Sequence, residues 1–312
     1  MRTLRSVVLT VAFVSVATIL VVGDLPKIVL NATSGFSPAL IDFNGIIRIA
    51  WTTKYEIRIA RYGPGPKLTN DHGLGEYSLH APALAVFNNR LYIAWTGTDK
   101  YALLNVKSSK DGETFGNKIT LREDGAYGPA LAVFKNRLYL AWTGVDKQHS
   151  LNIISSSDGV NFSNKQILGQ SSIAGPALMT IPARWPYPGS GDERLFITWT
   201  GPDKGMNIAR SDDGAHFDFS NTRIPSETSN DRPVLSFTKP GQTGIMQLWF
   251  TGTDARLNLL ASTMVGDVPL APTFVQKSTF DDTSIAGPAM YNGYLAWTGT
   301  DDAHHLNIRL MQ

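Results

Sequence analysis

A recurring six-letter phrase constrains the fold more than any other feature of this chain. The sequence AWTGTD stands at 94–99 and again at 296–301, with AWTGVD at 141–146, TWTGPD at 198–203 and the variant LWFTGTD at 248–254. Tryptophans at 51, 95, 142, 199, 249 and 297 are spaced 44, 47, 57, 50 and 48 residues apart. A period of about 40–50 residues is typical of repeat architectures.

A second marker runs in phase with the first. It reads SPAL at 37, APAL at 81, GPAL at 128 and 175, RPVL at 232 and GPAM at 287. Each marker pairs with one of the six tryptophans, so the chain contains six units. Two markers in the same phase make accidental repetition an inadequate explanation.

Each unit predicts four short antiparallel strands. In the unit at 81–121, Leu91, Ile93 and Trp95 alternate with Tyr92, Ala94 and Thr96, which is the period of a β-strand. The segments NNR, GTDK and KDGE supply turns between apolar runs. Four strands repeated six times predict an all-β fold, a six-bladed β-propeller over residues 24–312.

The two ends of the chain predict how the ring closes. Only 15 residues follow Trp297, too few for the last unit's fourth strand. The segment KIVL at 27–30 precedes the first marker, so we expect it to form the outer strand of the last blade. Closure removes the open sheet edge. The segment at 180–196 is predicted to be a loop insertion in the fourth unit.

The first 23 residues form a separate segment. Arg2 and Arg5 precede a long apolar run, which is typical of a secretory signal peptide, with Val21 and Gly23 placed for cleavage before Asp24. An uncleaved N-terminal anchor is the alternative, because the run approaches the ~20 residues that a membrane-spanning helix needs. Either interpretation predicts a secreted or extracellular domain.

Composition excludes several function classes. The net charge of +2 does not indicate a nucleic-acid-binding surface, and no other segment is predicted to contact a membrane. The chain has no cysteine, so it has no disulfide, thiolate metal site or cysteine nucleophile. No metal or cofactor motif is evident, and we expect neither.

The third turn of three units resembles the Asp-box, or BNR repeat, of sialidase-like propellers. The sequences are SSKDGETF at 108–115, SSSDGVNF at 155–162 and RSDDGAHF at 210–217. The resemblance implies a structural role, in which the aspartate bonds its own hairpin, the glycine adopts a strained turn conformation and the aromatic ring packs between blades. The residues are Asp111, Gly112, Phe115, Asp158, Gly159, Phe162, Asp213, Gly214 and Phe217.

The repeated phrase itself allows two interpretations. Its aspartates are followed by asparagines: Asp99 and Asn105, Asp146 and Asn152, Asp203 and Asn207, Asp254 and Asn258, Asp301 and Asn307. In the first interpretation these residues only cap turns and tie strands together. In the second they bind sugar hydroxyls on the functional face of the propeller. The alternation of each asparagine with apolar neighbours predicts that it points away from the core between blades.

The first unit departs from the pattern, with Lys54 in place of the Gly-Asp turn and Arg58 in place of the asparagine. Either the sequence of this blade has diverged without acquiring a function, or its cationic side chains bind a carboxylate.

The sialidase resemblance implies a catalytic set of three arginines, a tyrosine with a glutamate, and an aspartate. The sequence Arg-Ile-Pro at 223–225 falls in a predicted outer strand, away from the central channel. Loops that lead into the inner strands supply the central candidates: His80, Glu123, Asp124, Tyr127, Glu227, Asp231, Arg232, Asp281 and Asp282.

Three functions follow as hypotheses. The first is binding of a glycan or glycoconjugate without turnover, through the face turns together with Arg58, Tyr127 and Arg232. The second is an exo-acting glycosidase of sialidase type, in which Tyr127 and Glu227 pair and Arg48, Arg58 and Arg232 converge. The third is an extracellular scaffold for protein interactions. Neither a set of catalytic residues nor the oligomeric state can be assigned from the sequence.

Overall fold

The computed structural model describes residues 26–182, 184–185, 193–238, 244–264, 266–267 and 272–311. All the regular secondary structure in these ranges is β-strand, and none of it is helix. The strands form six antiparallel sheets of four or five strands and one small two-stranded sheet. The predicted six-bladed β-propeller is confirmed.

The blades follow one another along the chain. The first described strand is β1 (Ile28–Thr33). Blade 1 contains β2 (Ala39–Phe43), β3 (Ile46–Thr53), β4 (Glu56–Tyr62) and β5 (Leu68–Tyr77). Blade 2 contains β6 (Ala83–Phe87), β7 (Arg90–Thr96), β8 (Leu103–Ser109) and β9 (Gly116–Asp124). Blade 3 contains β10 (Ala130–Phe134), β11 (Arg137–Thr143), β12 (Ser150–Ser156) and β13 (Ser163–Ser171). The next strands are β14 (Ala177–Pro182), β15 (Arg184–Trp185), β16 (Glu193–Thr200), β17 (Gly205–Ser211), β18 (Phe217–Asp218) and β19 (Arg223–Thr228), and all but β15 form blade 4. They are followed by β20 (Val234–Thr238), β21 (Gly244–Thr251), β22 (Arg256–Met264), β23 (Gly266–Asp267) and β24 (Gln276–Thr283), and all but β23 form blade 5. Blade 6 contains β25 (Ala289–Tyr291), β26 (Tyr294–Thr298) and β27 (His305–Leu310), together with β1.

The N-terminal strand closes the ring. Strand β1 pairs antiparallel with β27, with Ile28 opposite Ile308 and Val29 opposite Asn307. Blade 6 therefore takes three strands from the C-terminus and its outer strand from the N-terminus, as the sequence predicts. The closure joins the two ends of the described chain through backbone hydrogen bonds.

Two-residue turns set the register of the first hairpins. Asn88 and Asn89 lie between β6 and β7 with φ of 48° and 55°, and Asn44 and Gly45 occupy the same place in blade 1 with φ of 56° and 77°. Positive φ at both central residues is the type I′ geometry, whose twist matches that of the flanking strands. This explains why short Asn-rich pairs separate apolar runs in the sequence.

Six buried clusters lie between neighbouring blades, and five tryptophans occupy equivalent places in them. The fifth unit is different, which corrects the expected equivalence of all six tryptophans. Phe250 lies opposite Asn258, as Trp95 lies opposite Asn105. Trp249 is one position earlier and packs on the other face of the sheet, where its Nε1 donates to Ser236 Oγ at 3.1 Å. A one-residue step along a strand reverses the side-chain direction.

The described ends of the predicted loop insertion at 180–196 extend the blade. Strand β14 extends to Pro182 and strand β16 begins at Glu193, and these two residues pair with each other. Beyond them, β15 pairs with β23 from the third turn of blade 5. Residues 183 and 186–192 of the predicted insertion lie outside the described residues, as does the predicted signal segment at 1–23.

Candidate functional site

The threonine of the repeated phrase ties each blade to the loop that leads into the next inner strand. Its buried hydroxyl donates to a backbone carbonyl in that loop at 2.6–2.8 Å. The pairs are Thr52 with His80, Thr96 with Tyr127, Thr143 with Ala174, Thr200 with Asp231, Thr251 with Ala286, and Thr298 with Phe36. These bonds hold six loops around one end of the central channel.

We call the cavity at that end the mouth. It has a volume of about 300 Å³ and is lined by Phe36, Ser37, His80, Ala81, Tyr127, Gly128, Ile173, Ala174, Gly175, Asn230, Asp231 and Arg232. This volume is at the lower end of the range for small-molecule sites, roughly 300–1,000 Å³. Four of the central candidates from the sequence line it: His80, Tyr127, Asp231 and Arg232.

A ring of small residues forms the floor of the mouth. A Cβ placed on Gly128 would lie 2.3 Å from the carbonyl oxygen of Ala81, and one placed on Gly175 would lie 2.2 Å from that of Gly128. Real Cβ atoms do not approach carbonyl oxygens this closely, so the neighbouring loops pack backbone against backbone. The position before the recurring proline is small in five units and is arginine only at Arg232.

One side of the mouth carries an aromatic arc. Phe36, His80 and Tyr127 line the mouth, and His149 continues the arc beyond the lining by packing against Tyr127. Consecutive ring centroids are 6.0, 5.9 and 6.0 Å apart. Three members stand two residues before the recurring proline of blades 1 to 3, and His149 comes from the face turn of blade 3 with φ of 51°. The spacing is that of interacting aromatic pairs, so each ring supports the next.

The opposite side of the mouth is polar. Asp231 Oδ2 accepts from the Gly287 amide at 2.6 Å and from Ser37 Oγ at 3.3 Å, and Oδ1 accepts from the Arg232 amide at 2.7 Å. Asn230 beside it is exposed. The cavity therefore faces aromatic rings on one wall and a carboxylate and an amide on the other.

Burial lowers the pKa of His80, and the negative charge of Asp231 opposes this only in part. Desolvation disfavours the charged imidazolium. The ring of His80 is therefore neutral at pH 7. It presents an apolar face and one N–H donor to the mouth rather than a positive charge.

The aspartates of the face turns cap their own turns. Asp99 Oδ1 accepts from the Tyr101 amide at 2.9 Å and Oδ2 from the Leu103 amide at 3.2 Å. Equivalent bonds run from Ser150 to Asp146, Gly205 to Asp203, Arg256 to Asp254 and His305 to Asp301. All five carboxylates remain exposed, and their role in ligand binding stays a prediction.

The asparagines of the repeat face the space between blades, which corrects the expectation that they point away from it. Asn105 lies directly opposite Trp95, so both side chains project from the same face of the sheet. Its Nδ2 donates to the Leu103 carbonyl at 2.8 Å, and its Oδ1 accepts from Thr120 Oγ1 at 2.7 Å. Asn152, Asn207, Asn258 and Asn307 donate to the equivalent carbonyls.

The three box-like turns lie at the other end of the blades. Asp111 Oδ1 accepts from Ser109 Oγ at 2.7 Å and from the amides of Glu113 and Thr114 at 2.9 and 2.8 Å. Asp158 and Asp213 make the same bonds with their own turns. Gly112, Gly159 and Gly214 have φ of 76°, 74° and 78°, and Phe115, Phe162 and Phe217 pack on the clusters between blades.

The arginines of the cationic first blade form ion pairs with glutamate and aspartate side chains of this same chain. Arg48 occupies the position of Tyr92 and Tyr139 in blades 2 and 3. Its Nη1 donates to Glu113 Oε1 at 3.2 Å, and Arg61 pairs with the same carboxylate. Arg58 pairs with Asp71 at 2.9 Å and with Glu56 at 3.1 Å.

The residues proposed for sialidase chemistry do not come together. Arg48, Arg58 and Arg232 have separate partners. Glu227 on β19 pairs with Lys277 on β24 at 2.8 Å, in the outer strands of blades 4 and 5, so it does not meet Tyr127 at the mouth. Arg223 of the Arg-Ile-Pro sequence lies on an outer strand, as predicted, and pairs with Asp203 at 2.7 Å.

The remaining central candidates lie outside the mouth. Glu123 pairs with Lys165, and Asp282 pairs with Lys27 and Arg309. Asp124 and Asp281 lie on the outer strands β9 and β24.

Within the described ranges, no group of three or more histidine, aspartate or glutamate residues is placed to hold a metal ion. No helix among the described residues is long and apolar enough to cross a membrane.

Solved structures of two lectins and an arabinanase share this fold. The chain superimposes on the SapL1 lectin in complex with α-methyl fucoside with a TM-score of 0.60 and 12% identity, covering 87% of this chain and 91% of that one. An α-L-arabinanase from Penicillium chrysogenum complexed with arabinobiose gives 0.58 and 13%, covering 87% and 91%. The BP39L lectin from Burkholderia pseudomallei gives 0.61 and 12%, covering 87% and 79%. Neither a protein-family model nor a curated protein matches the sequence.

Proposed function

We propose that this protein binds carbohydrate at the mouth without hydrolysing it. The observation that carries the proposal is the aromatic arc facing Asn230 and Asp231 across a cavity of about 300 Å³. A sugar ring has an apolar C–H face and an edge of hydroxyl groups. The arc offers a surface for the first, and the polar wall offers acceptors and a donor for the second.

The structural neighbours support this class of ligand. Two are named as lectins, one of them in complex with a fucoside, and a third is an arabinanase holding arabinobiose. At 12–13% identity these likenesses establish the fold. Residues for a specific sugar come from this chain alone.

The set of carboxylates supports binding rather than hydrolysis. Most glycosidases use two carboxyl groups about 5–9.5 Å apart on either side of the scissile bond. Asp231 is the one carboxylate among the described residues that line the mouth. Both of its oxygens already accept backbone amides, which leaves it poorly suited to act as an acid or a nucleophile.

The three box-like turns support a more specific proposal, that the chain is a divergent member of the sialidase-like Asp-box propellers. Their aspartates bond their own hairpins in the way that the resemblance implies. The basic and apolar N-terminal segment supports secretion, which would expose the mouth to extracellular glycans. Fractionation of the producing cells, followed by detection of the chain, tests that location.

A glycan array on the purified protein tests the proposed function, with sialylated and neutral glycans side by side. We expect selective binding to one sugar class, and a loss of at least ~10-fold in affinity for Tyr127→Ala and His80→Ala, since contacts in a buried pocket dominate binding. The matched control is Tyr101→Ala, which removes an exposed aromatic ring of a face turn outside the mouth.

Three results would contradict the proposal. Unchanged affinity in both mouth variants, with loss in Asp99→Ala and Asp301→Ala, would move the site to the face turns. Release of sugar from a fluorogenic glycoside would make the protein an exo-acting glycosidase. A blank array with a stable co-purified protein would make it a scaffold.

A further inference from the structure

Arg232 is a buried arginine with unused hydrogen-bond donors. It is 7% exposed, its Nη1 and Nη2 donate to the carbonyls of Pro129 and Pro38 at 3.5 Å each, and its Nε has no acceptor. Both bonds are longer than ordinary N–H···O bonds, and a guanidinium has five N–H groups to satisfy. No carboxylate of the described residues forms an ion pair with its guanidinium. The Asp231 oxygens accept the backbone amides of Arg232 and Gly287, and the Asp231 charge only partly offsets the burial that lowers the pKa of Arg232.

Arg48 provides the contrast within the same molecule. It is 3% exposed and its Nε also lacks an acceptor, but Nη1 pairs with Glu113 and Nη2 donates to the Asp111 carbonyl at 3.1 Å. Arg48 thus has a direct ion pair, whereas the guanidinium of Arg232 has none and is only partly compensated by the nearby negative charge of Asp231. A buried cation without a direct ion pair is costly, and such a group is a good position for an anionic ligand.

The channel below Arg232 is lined mainly by aliphatic side chains. It has a volume of about 400 Å³, and its walls are the inner strands, with Ile41, Val86, Val133 and Met179 half-buried along it. Arg232 is the single charged residue among the described residues that line this channel, and it also lines the mouth above. A cavity with aliphatic walls and one cation at its end matches an anion that carries a hydrocarbon tail.

We infer that the channel binds a linear aliphatic monocarboxylate, with the carboxylate on Arg232 and the tail along the inner strands. An inner strand of five residues, such as Ala83–Phe87, spans about 16 Å at ~3.3 Å per residue, which accommodates a chain on the order of ten carbons. The carboxylate would accept the free N–H groups of the guanidinium in charge-assisted bonds. Burial of the tail would supply most of the affinity.

Calorimetric titration of the purified protein with decanoate tests the inference. We expect saturable binding of one decanoate per chain and a loss of at least ~10-fold in Arg232→Met, which keeps an unbranched side chain of shorter reach and removes the charge. The matched control, Arg48→Met, removes a buried arginine outside the channel and should leave decanoate binding unchanged. Tyr127→Ala should also retain it, which separates this site from glycan binding at the mouth.

Two further ligands decide which feature of the channel matters. Equal affinity for 1-decanol would show that the apolar walls act without Arg232 and would overturn the inference. Displacement of decanoate by millimolar sodium chloride would show that Arg232 binds inorganic anions, and this result would also overturn the inference. On the wild-type protein alone, affinity should rise at least ~3-fold from hexanoate to octanoate and again to decanoate, and a flat series would overturn the inference even if Arg232→Met failed to fold.

Discussion

The hydroxyl of Thr96 donates a 2.7 Å hydrogen bond to the carbonyl of Tyr127. The bond joins the repeated phrase of blade 2 to the backbone of the aromatic residue that blade 3 contributes to the mouth. Five more threonines make the same bond around the ring. The repeated phrase therefore positions, through its buried threonine side chains, the mouth residues that differ from blade to blade.

Thr96→Val should destabilise the protein and weaken binding at the mouth. The substitution is close in shape, but it leaves the Tyr127 carbonyl without its donor, which costs about 1–3 kcal/mol. Urea unfolding measures the loss, and glycan affinity reports the displacement of Tyr127. Thr96→Ser keeps the hydroxyl and should recover most of both, whereas equal losses in the serine and valine variants would contradict the role given to the bond.

Gly128→Ala should be strongly destabilising for its size. The added Cβ would lie 2.3 Å from the Ala81 carbonyl oxygen, so two loops would have to separate. Overpacking of this kind costs about 1–3 kcal/mol. Gly116→Ala is the matched control, because a Cβ there meets nothing within 4 Å. Equal melting temperatures for the two variants would show that the ring of small residues is not tightly packed.

The number of blades and the closure were predictable because both depend on period and strand count. The tryptophan spacing gave six units, and the missing last strand matched the spare one at 27–30. The displacement of Trp249 was not predictable from spacing. Two neighbouring aromatic residues, Trp249 and Phe250, can each fill the same place. The strand pairing and the bond from Thr251 to Ala286 place Phe250 where the other blades have tryptophan.

The mouth was only partly predictable. His80, Tyr127, Asp231 and Arg232 were identifiable because their loops lead into inner strands, but Phe36 was missed. The residue two places before the recurring proline varies while its surroundings repeat, and this contrast is the signal that would have found Phe36. Nothing in the sequence around His149 reveals that a face-turn residue reaches Tyr127, because that contact depends on the curvature of the ring.

His80 should make stability fall on mild acidification. Burial lowers its folded pKa below the unfolded value of ~6.5, so its contribution is complete above that pH and is lost as pH falls below it. Thermal melts between pH 7.5 and 5 measure the slope. His80→Phe keeps an aromatic ring in the arc without a titrating group, and it should flatten the profile. An unchanged slope in this variant would assign the effect to another group.

The box-like aspartates should give a second, more acidic transition. Backbone amides of Asn161 and Val160 hold the pKa of Asp158 well below its ordinary value, and bonds from His216 do the same for Asp213. Their contribution is present above the unfolded pKa of ~3.9 and is lost as pH falls below it. Asp158→Asn with Asp213→Asn should therefore flatten the loss of melting temperature between pH 5 and 3. A Val160→Ala control trims an exposed side chain, leaves both carboxylates and their backbone donors in place, and should retain the wild-type slope.

Arg48 and Glu113 should be energetically coupled across the seam between blades 1 and 2. Arg48 is nearly inaccessible, so removing Glu113 leaves a buried cation short of its partner, whereas removing both relieves that cost. A double-mutant cycle with Arg48→Met and Glu113→Gln should give a coupling of about 1–3 kcal/mol. The more exposed pair Lys165 and Glu123 is the reference, where coupling should stay within about 0–1 kcal/mol. Equal coupling in the two cycles would mean that the first blade has drifted in sequence without acquiring a structural role for its arginine.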